Sequence, residues 1–203
     1  MSGQGVGADR QVAELILQLG RAAYGDSAVG GLTQAQWMAL RFFARANRFS
    51  RTISAFAEFH ATTRGTASQT VKTLVHQGYL TRTRSERDGR STRFDLTARS
   101  LRKLAQDPIQ TVVRAAGQMP PAEQTQTVSS LKQLARAVAE ERGRPLVGVC
   151  ALCGHLGKAE GGYQCGLMRE ALDDRELDEL CVRFLPSKRG GRSRRVPGLD
   201  GKG

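Results

Sequence analysis

Residues 52–97 read TISAFAEFHATTRGTASQTVKTLVHQGYLTRTRSERDGRSTRFDLT and carry the most informative pattern in the chain. The first eight of them, residues 52–59, predict a short helix. Thr63 is a suitable N-cap for a second helix, which we expect to reach about Gln77 because Gly78 is a typical helix stop. Two helices are therefore expected to follow one another across a short turn.

A β-hairpin is expected after the second helix. Within residues 79–96, the turn signal Asp88-Gly89 separates two arms of β-forming residues, and Phe94 and Leu96 alternate with polar residues on the second arm. A short helix, a turn, a second helix and a basic hairpin occur in this order in a winged helix-turn-helix, whose second helix enters the major groove of DNA.

The helix that begins after Thr63 divides into an inward and an outward face. Ala67, Val71 and Leu74 are spaced for contact with a core. The outward face carries side chains that bind DNA: arginine pairs with guanine, glutamine with adenine and serine with either, and a helix N-terminus holds phosphate. The DNA-contacting residues expected on this helix are Thr63, Arg64, Ser68, Gln69 and Lys72.

Positive charge is concentrated in two segments of the 203-residue chain, whose formal net charge is +12. Residues 60–103 carry +7 and residues 187–203 carry +5, whereas residues 104–186 carry −2. Such a local excess favours a polyanion, because each Lys or Arg on a phosphate releases counterions. The hairpin is expected to present a basic strip to the DNA backbone or minor groove, formed by Arg82, Arg84, Arg87, Arg90 and Arg93.

Helical periodicity predicts further helices on both sides of this segment. One amphipathic helix is expected over residues 12–23, and another runs from about Ala122 to Glu141. A helix is also expected from Thr97 through about Gln118, with a bend at residues 107–108. A helix capped by Thr33 is expected to direct four side chains inward, namely Trp37, Leu40, Phe43 and Ala44.

Membrane and secreted classes are not favoured. The longest largely apolar run, residues 146–153, is far shorter than the roughly 18 residues that a spanning helix needs. The first residues also lack the basic and apolar regions of a signal peptide. We therefore expect a soluble, cytoplasmic protein with no membrane partner.

Residues 56–97 resemble the core of the multiple antibiotic resistance regulator (MarR-type) winged-helix transcription factors. Residues 56–58, Phe-Ala-Glu, lie where those proteins have a Leu-Ala-Glu-like element, and residues 63–68 match the start of their recognition helix. Asp88-Gly89-Arg90 matches their Asp-x-Arg wing tip. The resemblance extends over roughly residues 9–141, with Thr70 standing where a leucine is usual.

This resemblance implies a mainly α fold with a small β-hairpin wing and flanking dimerisation helices; the extension after residue 141 departs from the family, and its cysteines predict a small Cys-rich C-terminal module. It implies that Asp88 orients Arg90 into the minor groove, and that a homodimer reads a pseudo-palindrome with half-sites about one helical turn, roughly 10 bp, apart. The expected organisation is a flexible N-terminus at 1–8, a DNA-binding and dimerisation domain at 9–142, a four-Cys module at 143–186 and a disordered basic tail at 187–203.

All four cysteines lie in the pattern Cys150-x2-Cys153-x11-Cys165-x15-Cys181. In a reducing cytosol, clustered thiols are more often metal ligands than disulfides. A tetrahedral zinc ion and an iron–sulfur cluster both fit four thiolates, and the long, uneven spacing favours the cluster. Unmetallated thiols, including redox-switching ones, are the remaining alternative.

The histidines and the acidic residues of the chain give weaker evidence for a functional site than the cysteines do. His155 follows the first cysteine pair and could serve as a ligand, but a surface or supporting position is expected for it. No functional role is expected for His60 or His76. Residues 166–180 are expected to form an acidic helix, either solvated or in contact with the basic wing or tail of a neighbouring chain.

The leading hypothesis is a homodimeric regulator that binds double-stranded DNA and senses redox state, oxygen or iron through a Cys-ligated iron–sulfur cluster. In an alternative, the metal is a structural zinc and a small aromatic molecule is the effector. An enzyme or electron carrier is disfavoured, because the chain has no Ser-His-Asp pattern, phosphate loop or His-Glu metal motif. A zinc-stabilised RNA-binding module is also disfavoured, since only 11 aromatic residues are available for base stacking.

Overall fold

The structure, a computed structural model, describes residues 7–24, 31–84, 92–159 and 161–187. The expected wing tip, with Arg87, Asp88 and Arg90, lies outside the described residues, as does all of the expected basic tail except its first residue. Among the described helices, none is long and apolar enough to cross a membrane.

Four helices form the N-terminal half: α1 (Ala8–Tyr24), α2 (Gln34–Arg45), α3 (Ile53–Phe59) and α4 (Arg64–His76). The last three each follow a threonine whose hydroxyl accepts a hydrogen bond from the backbone amide three residues later. These side chains satisfy amides that have no partner within the helix, so the caps fix where each helix begins. The predicted caps at Thr33 and Thr63 are confirmed.

The hairpin follows α4 directly. Gly78 has a φ of +72°, a left-handed conformation that glycine adopts without strain, and it turns the chain away from α4. Strands β1 (Leu80–Arg84) and β2 (Thr92–Leu96) then pair antiparallel, with Arg82 opposite Phe94. The order of α3, α4, β1 and β2 confirms the predicted winged helix-turn-helix.

Helices α5 (Ala98–Leu104), α6 (Gln110–Gly117) and α7 (Pro121–Glu141) complete the helical part of the chain. The predicted single helix over 97–118 is wrong, because the chain leaves helical conformation at residues 105–109. Pro108 has no amide hydrogen for the helical ladder, and the Asp107 carboxylate instead accepts a hydrogen bond from the Ile109 amide at 2.9 Å. The Arg41 guanidinium holds the same carboxylate through two hydrogen bonds.

The main core lies between α2, α3, α4 and the hairpin. Trp37, Leu40 and Phe43 are buried as predicted, but Ala44 is exposed and Phe42 is buried in its place. Phe42 makes contacts with the rings of Phe43, Phe56 and Phe59, and these contacts explain why this position of α2 turns inward. The inward face of α2 therefore extends to Phe42 and not to Ala44.

Residues 148–182 fold into short strands that pack on the helical domain. Strands β3 (Gly148–Val149) and β7 (Leu180–Cys181) pair with each other, while β4 (Leu156–Ala159), β5 (Gly162–Cys165) and β6 (Glu170–Leu172) form an antiparallel sheet. Leu180 and Val182 join the main core.

The predicted acidic helix over 166–180 is wrong. Its residues form strand β6 and a single 3₁₀ turn at Arg175–Asp178. Arg169 has a φ of +55°, which interrupts any helix, and the Asp173 carboxylate accepts hydrogen bonds from the amides of Arg175 and Glu176. Such local side-chain bonds compete with helical ones, so composition and charge alone misled the prediction.

Candidate nucleic-acid interface and cysteine cluster

Helix α4 has the two faces that its sequence predicts. Ala67, Val71 and Leu74 are at most 1% exposed and anchor the helix on the core. On the opposite side, Arg64, Gln69 and Lys72 are exposed and Ser68 is half-buried. The Thr63 hydroxyl is engaged in the cap, at 3.1 Å from the Thr66 amide. The four outward side chains can therefore reach a DNA groove without disturbing the core.

The hairpin arms present their arginines on two different faces. Arg82 and Arg84 are exposed and lie opposite Phe94 and Thr92, on one face of the hairpin. Arg93 lies opposite Thr83 on the other face, because side chains alternate along a strand. The predicted continuous strip is therefore divided within the described arms, and only Arg82 and Arg84 share a surface.

All four cysteines line one small cavity of about 30 Å³. Cys150 and Cys181 are buried, and Cys153 and Cys165 are half-buried; the four thiols are free of disulfides. His155 and Arg183 also line this cavity, whereas His60 lies among phenylalanine rings of the main core and His76 is exposed at the end of α4. Residues up to 31 positions apart in sequence are thus brought to one place.

Among the described residues, no group of three or more His, Cys, Asp or Glu side chains is placed so that it could hold an ion. Binding of an ion by four thiolates would therefore require the side chains around the cavity to rearrange.

A buried amide supports the cluster from the helical domain. Asn47 is fully buried in the loop after α2, and its side-chain amide donates a hydrogen bond to the Cys150 sulfur at 3.4 Å. Its side-chain oxygen accepts from the Ser50 amide at 2.9 Å, and the Ser50 hydroxyl accepts from the Val182 amide at 3.3 Å. Sequence reasoning missed Asn47, because nothing near it in the sequence indicates a distant sulfur partner.

A hydrogen bond joins the side chains of Cys150 and Cys181. A hydrogen bond from Cys150, assisted by the Arg183 amide and by Asn47 and Ser50, lowers the pKa of Cys181 to about 6. The same hydrogen bond and burial raise the pKa of the Cys150 thiol above its usual range. The pair therefore carries a thiolate at neutral pH, and the thiolate is the form that binds metal.

Two arginines of the loop after α2 join the helical domain to residues 148–182. Arg48 lies 3.3 Å from the Glu176 carboxylate and also donates to the Ala171 carbonyl. Arg51 lies 3.1 Å from the Glu179 carboxylate, and burial raises the pKa of that carboxyl although Arg51 opposes the effect. Neither arginine was among the predicted site residues.

Comparison with known proteins agrees with the fold. The model of the MarR family matches residues 30–91, which span α2 to the wing. This match covers less than half of the chain, and it agrees with the winged-helix fold that the structure shows.

Several solved structures share this architecture at low sequence identity. A MarR/EmrR family transcriptional regulator from Acinetobacter sp. ADP1 is 19% identical with a TM-score of 0.52, over 66% of this chain and 99% of that protein. A mutant of MepR from S. aureus is 14% identical with a TM-score of 0.51, over 66% and 99%. A MarR family regulator from Silicibacter pomeroyi is 18% identical with a TM-score of 0.51, over 64% and 89%. No curated protein matches the chain.

Proposed function

We propose that the protein is a homodimeric transcriptional regulator that binds double-stranded DNA sequence-specifically through α4. The observation that carries this proposal is the outward face of α4, where Arg64 and Gln69 are exposed beside the basic arm of a wing. Arginine and glutamine can each make paired hydrogen bonds to one base, and such pairs discriminate between bases. Lys72 and Arg82 add charge for the phosphates.

The exposed surfaces of α1, α6 and α7 support a second copy of the chain as the binding partner. None of the residues of α1, α6 and α7 is buried in the described chain. Large apolar side chains stand exposed on all three helices, and apolar surface of this kind marks an interface. They are Val12, Leu15, Ile16, Leu17, Leu19, Val113, Val128, Leu131, Leu134 and Val138.

The DNA-binding proposal is tested by selecting duplexes from a random pool with the full-length protein. We expect the enriched duplexes to share a pseudo-palindrome whose half-sites are about one helical turn, roughly 10 bp, apart, because each subunit contributes one recognition helix. Enrichment of no common sequence would contradict the proposal. Binding of single-stranded RNA in preference to any duplex would instead support the RNA-binding alternative.

We further propose that the four cysteines hold a metal cofactor, either zinc or an iron–sulfur cluster. The cavity they line, the thiolate on Cys181 and the Asn47 hydrogen bond to Cys150 support this proposal. Four thiolates supply the full ligand set for a tetrahedral zinc ion and also for an iron–sulfur cluster. The long, uneven spacing of the cysteines in the sequence favours the cluster.

The metal proposal is tested by metal and sulfide analysis of protein purified without air, together with its absorption spectrum. About one zinc per chain and no colour would indicate a structural site; iron, sulfide and broad visible absorption would indicate a cluster that can sense redox state, oxygen or iron. Cys150→Ser should lose the metal, whereas His155→Ala, at the same cavity, should keep it. A metal-free wild-type protein would contradict the proposal.

A further inference from the structure

The loop of residues 46–51 joins the cysteine cluster to the DNA-binding domain. Its Asn47 amide donates to the Leu180 carbonyl at 2.8 Å, and Ala46 forms a parallel bridge with Leu180. Leu180 precedes Cys181 in β7, so the strand that carries one cysteine is hydrogen-bonded to this loop. On the same loop, the side chain of Asn47 contacts the Cys150 sulfur at 3.4 Å.

The other end of the loop is attached to the wing. The Arg51 carbonyl accepts a hydrogen bond from the Phe94 amide in β2 at 2.9 Å. Its guanidinium lies 3.0 Å from the Asp95 carboxylate, which in turn accepts from the Thr83 hydroxyl in β1 at 2.8 Å. Arg51 therefore contacts β2 directly and β1 through Asp95.

The same guanidinium also contacts the strand region next to the cysteines. One of its terminal nitrogens is bound to Asp95, and the other lies 3.1 Å from the Glu179 carboxylate. Glu179 is two residues from Cys181, and its carbonyl accepts a hydrogen bond from the Cys150 amide at 3.3 Å. Arg51 thus bridges a carboxylate of the wing and a carboxylate beside the two buried cysteines.

We propose that Arg51 couples occupancy of the cysteine site to the position of the wing. This inference rests on the proposed function, because it requires both a metal at the cysteines and DNA at the wing. An ion bound by Cys181 and Cys150 would further restrain β7 and with it Glu179, which holds the Arg51 guanidinium between two carboxylates. Without the ion, Glu179 is less restrained, and the Arg51 side chain is then held mainly by Asp95 of the wing.

Coupling of this kind is reciprocal. If metal binding changes DNA affinity by some factor, DNA binding changes metal affinity by the same factor. A purely structural metal would instead stabilise residues 148–182 without altering how the wing contacts DNA. It also explains the position of Arg51 in a loop that lies outside both α4 and the hairpin.

Arg48 provides a matched control for Arg51. It lies on the same loop and contacts Glu176 and Ala171, so it too binds the C-terminal segment of residues 148–182. The contacts described for Arg48 go to that segment and to the neighbouring Phe49 ring, and they do not include the hairpin. Arg48→Gln and Arg51→Gln remove the same charge from the same loop, but only the second removes an ion pair with the wing, that with Asp95.

The experiment measures the affinity for a selected duplex with metal-loaded and metal-free protein, for the wild type and both variants. We expect loading to change wild-type affinity at least about fivefold, Arg48→Gln to keep that ratio, and Arg51→Gln to bring it close to one while retaining wild-type metal content. An Arg51→Gln protein with the wild-type ratio would overturn the proposal. If this variant does not fold, Glu179→Gln removes the same ion pair from the other side.

The outcomes separate this inference from the proposed function. A wild-type protein that binds no metal, or no duplex selectively, overturns the proposed function and the coupling together. A wild-type protein that binds both, but with the same DNA affinity in its loaded and metal-free states, overturns the coupling alone.

Discussion

At the scale of single residues, His60 shows how burial sets a protonation state. Its ring lies among Phe42, Phe56 and Phe59, and its Nε2 atom is buried without a hydrogen-bond partner among the described residues. Burial lowers the pKa of His60 to about 4, although a hydrogen bond to the Met38 backbone opposes this shift. The imidazole is therefore neutral in the folded protein at physiological pH.

This pKa predicts an acid-sensitive fold. Between pH 6.5 and about 4, the unfolded state protonates His60 and the folded state does not, so the free energy of unfolding should fall as pH is lowered through that window. His60→Leu should weaken this dependence. Urea titrations at several pH values would check it, with exposed His76→Leu as the control; equal pH dependence in wild type and His60→Leu would contradict the assignment.

Arg64 and Gln69 are expected to determine base preference, and Arg82 to contribute charge. Alanine at Arg64 or Gln69 should reduce affinity for a selected duplex by about 1–3 kcal/mol and leave binding to random DNA nearly unchanged. Arg82→Ala should weaken both and lower the salt dependence of binding. Fluorescence anisotropy measures the affinity of each variant for the selected and the random duplex. Equal losses on selected and random DNA from Arg64→Ala would show that α4 does not read bases.

At the scale of elements, the stability of α4 depends on its inward face. Leu74 is fully buried, so Leu74→Ala should lower the free energy of unfolding by about 2–5 kcal/mol through lost burial and a new cavity. The same change at Leu101, which is 61% exposed, should cost less than about 1 kcal/mol. Chemical denaturation compares the two. Similar losses at both positions would contradict the packing of α4 described above.

Elements defined by local signals were predictable from the sequence, and long-range contacts were not. Thr33 and Thr63 mark helix starts, and Gly78 with the alternation through Phe94 defines the hairpin, because these signals act within a few residues. The break at Asp107 was underestimated as a bend. The pairing of Arg51 with Glu179 links positions 128 residues apart and leaves no local pattern.

The candidate site, like the fold, was predictable from the sequence only where local patterns define it. The outward face of α4 followed from helical spacing, and the clustering of four cysteines in one segment favoured a shared site. Alternation along a strand would have separated Arg93 from Arg82, but the interpretation counted charge without following the faces. The role of Asn47 depends on β7 packing against the loop after α2, and no spacing rule predicts that contact.

For the whole molecule, recognition of a pseudo-palindrome requires a dimer. A charge on the apolar surface of α7 would be buried without a partner in such an interface, so Leu131→Glu should give a monomer and weaken DNA binding strongly. Gln126→Glu adds the same charge on the same helix and is expected to leave the dimer intact. Light scattering coupled to gel filtration measures the masses. A dimeric Leu131→Glu protein would exclude this face as the interface.

Chemical footprinting of a selected duplex shows whether α4 of each subunit reads bases in the major groove. Dimethyl sulfate probes guanine N7 atoms, which lie in the major groove. We expect the wild-type protein to protect guanines in two segments about one helical turn, roughly 10 bp, apart, and Arg64→Ala to restore their reactivity. Protection of the DNA backbone with every guanine N7 still reactive would contradict the account.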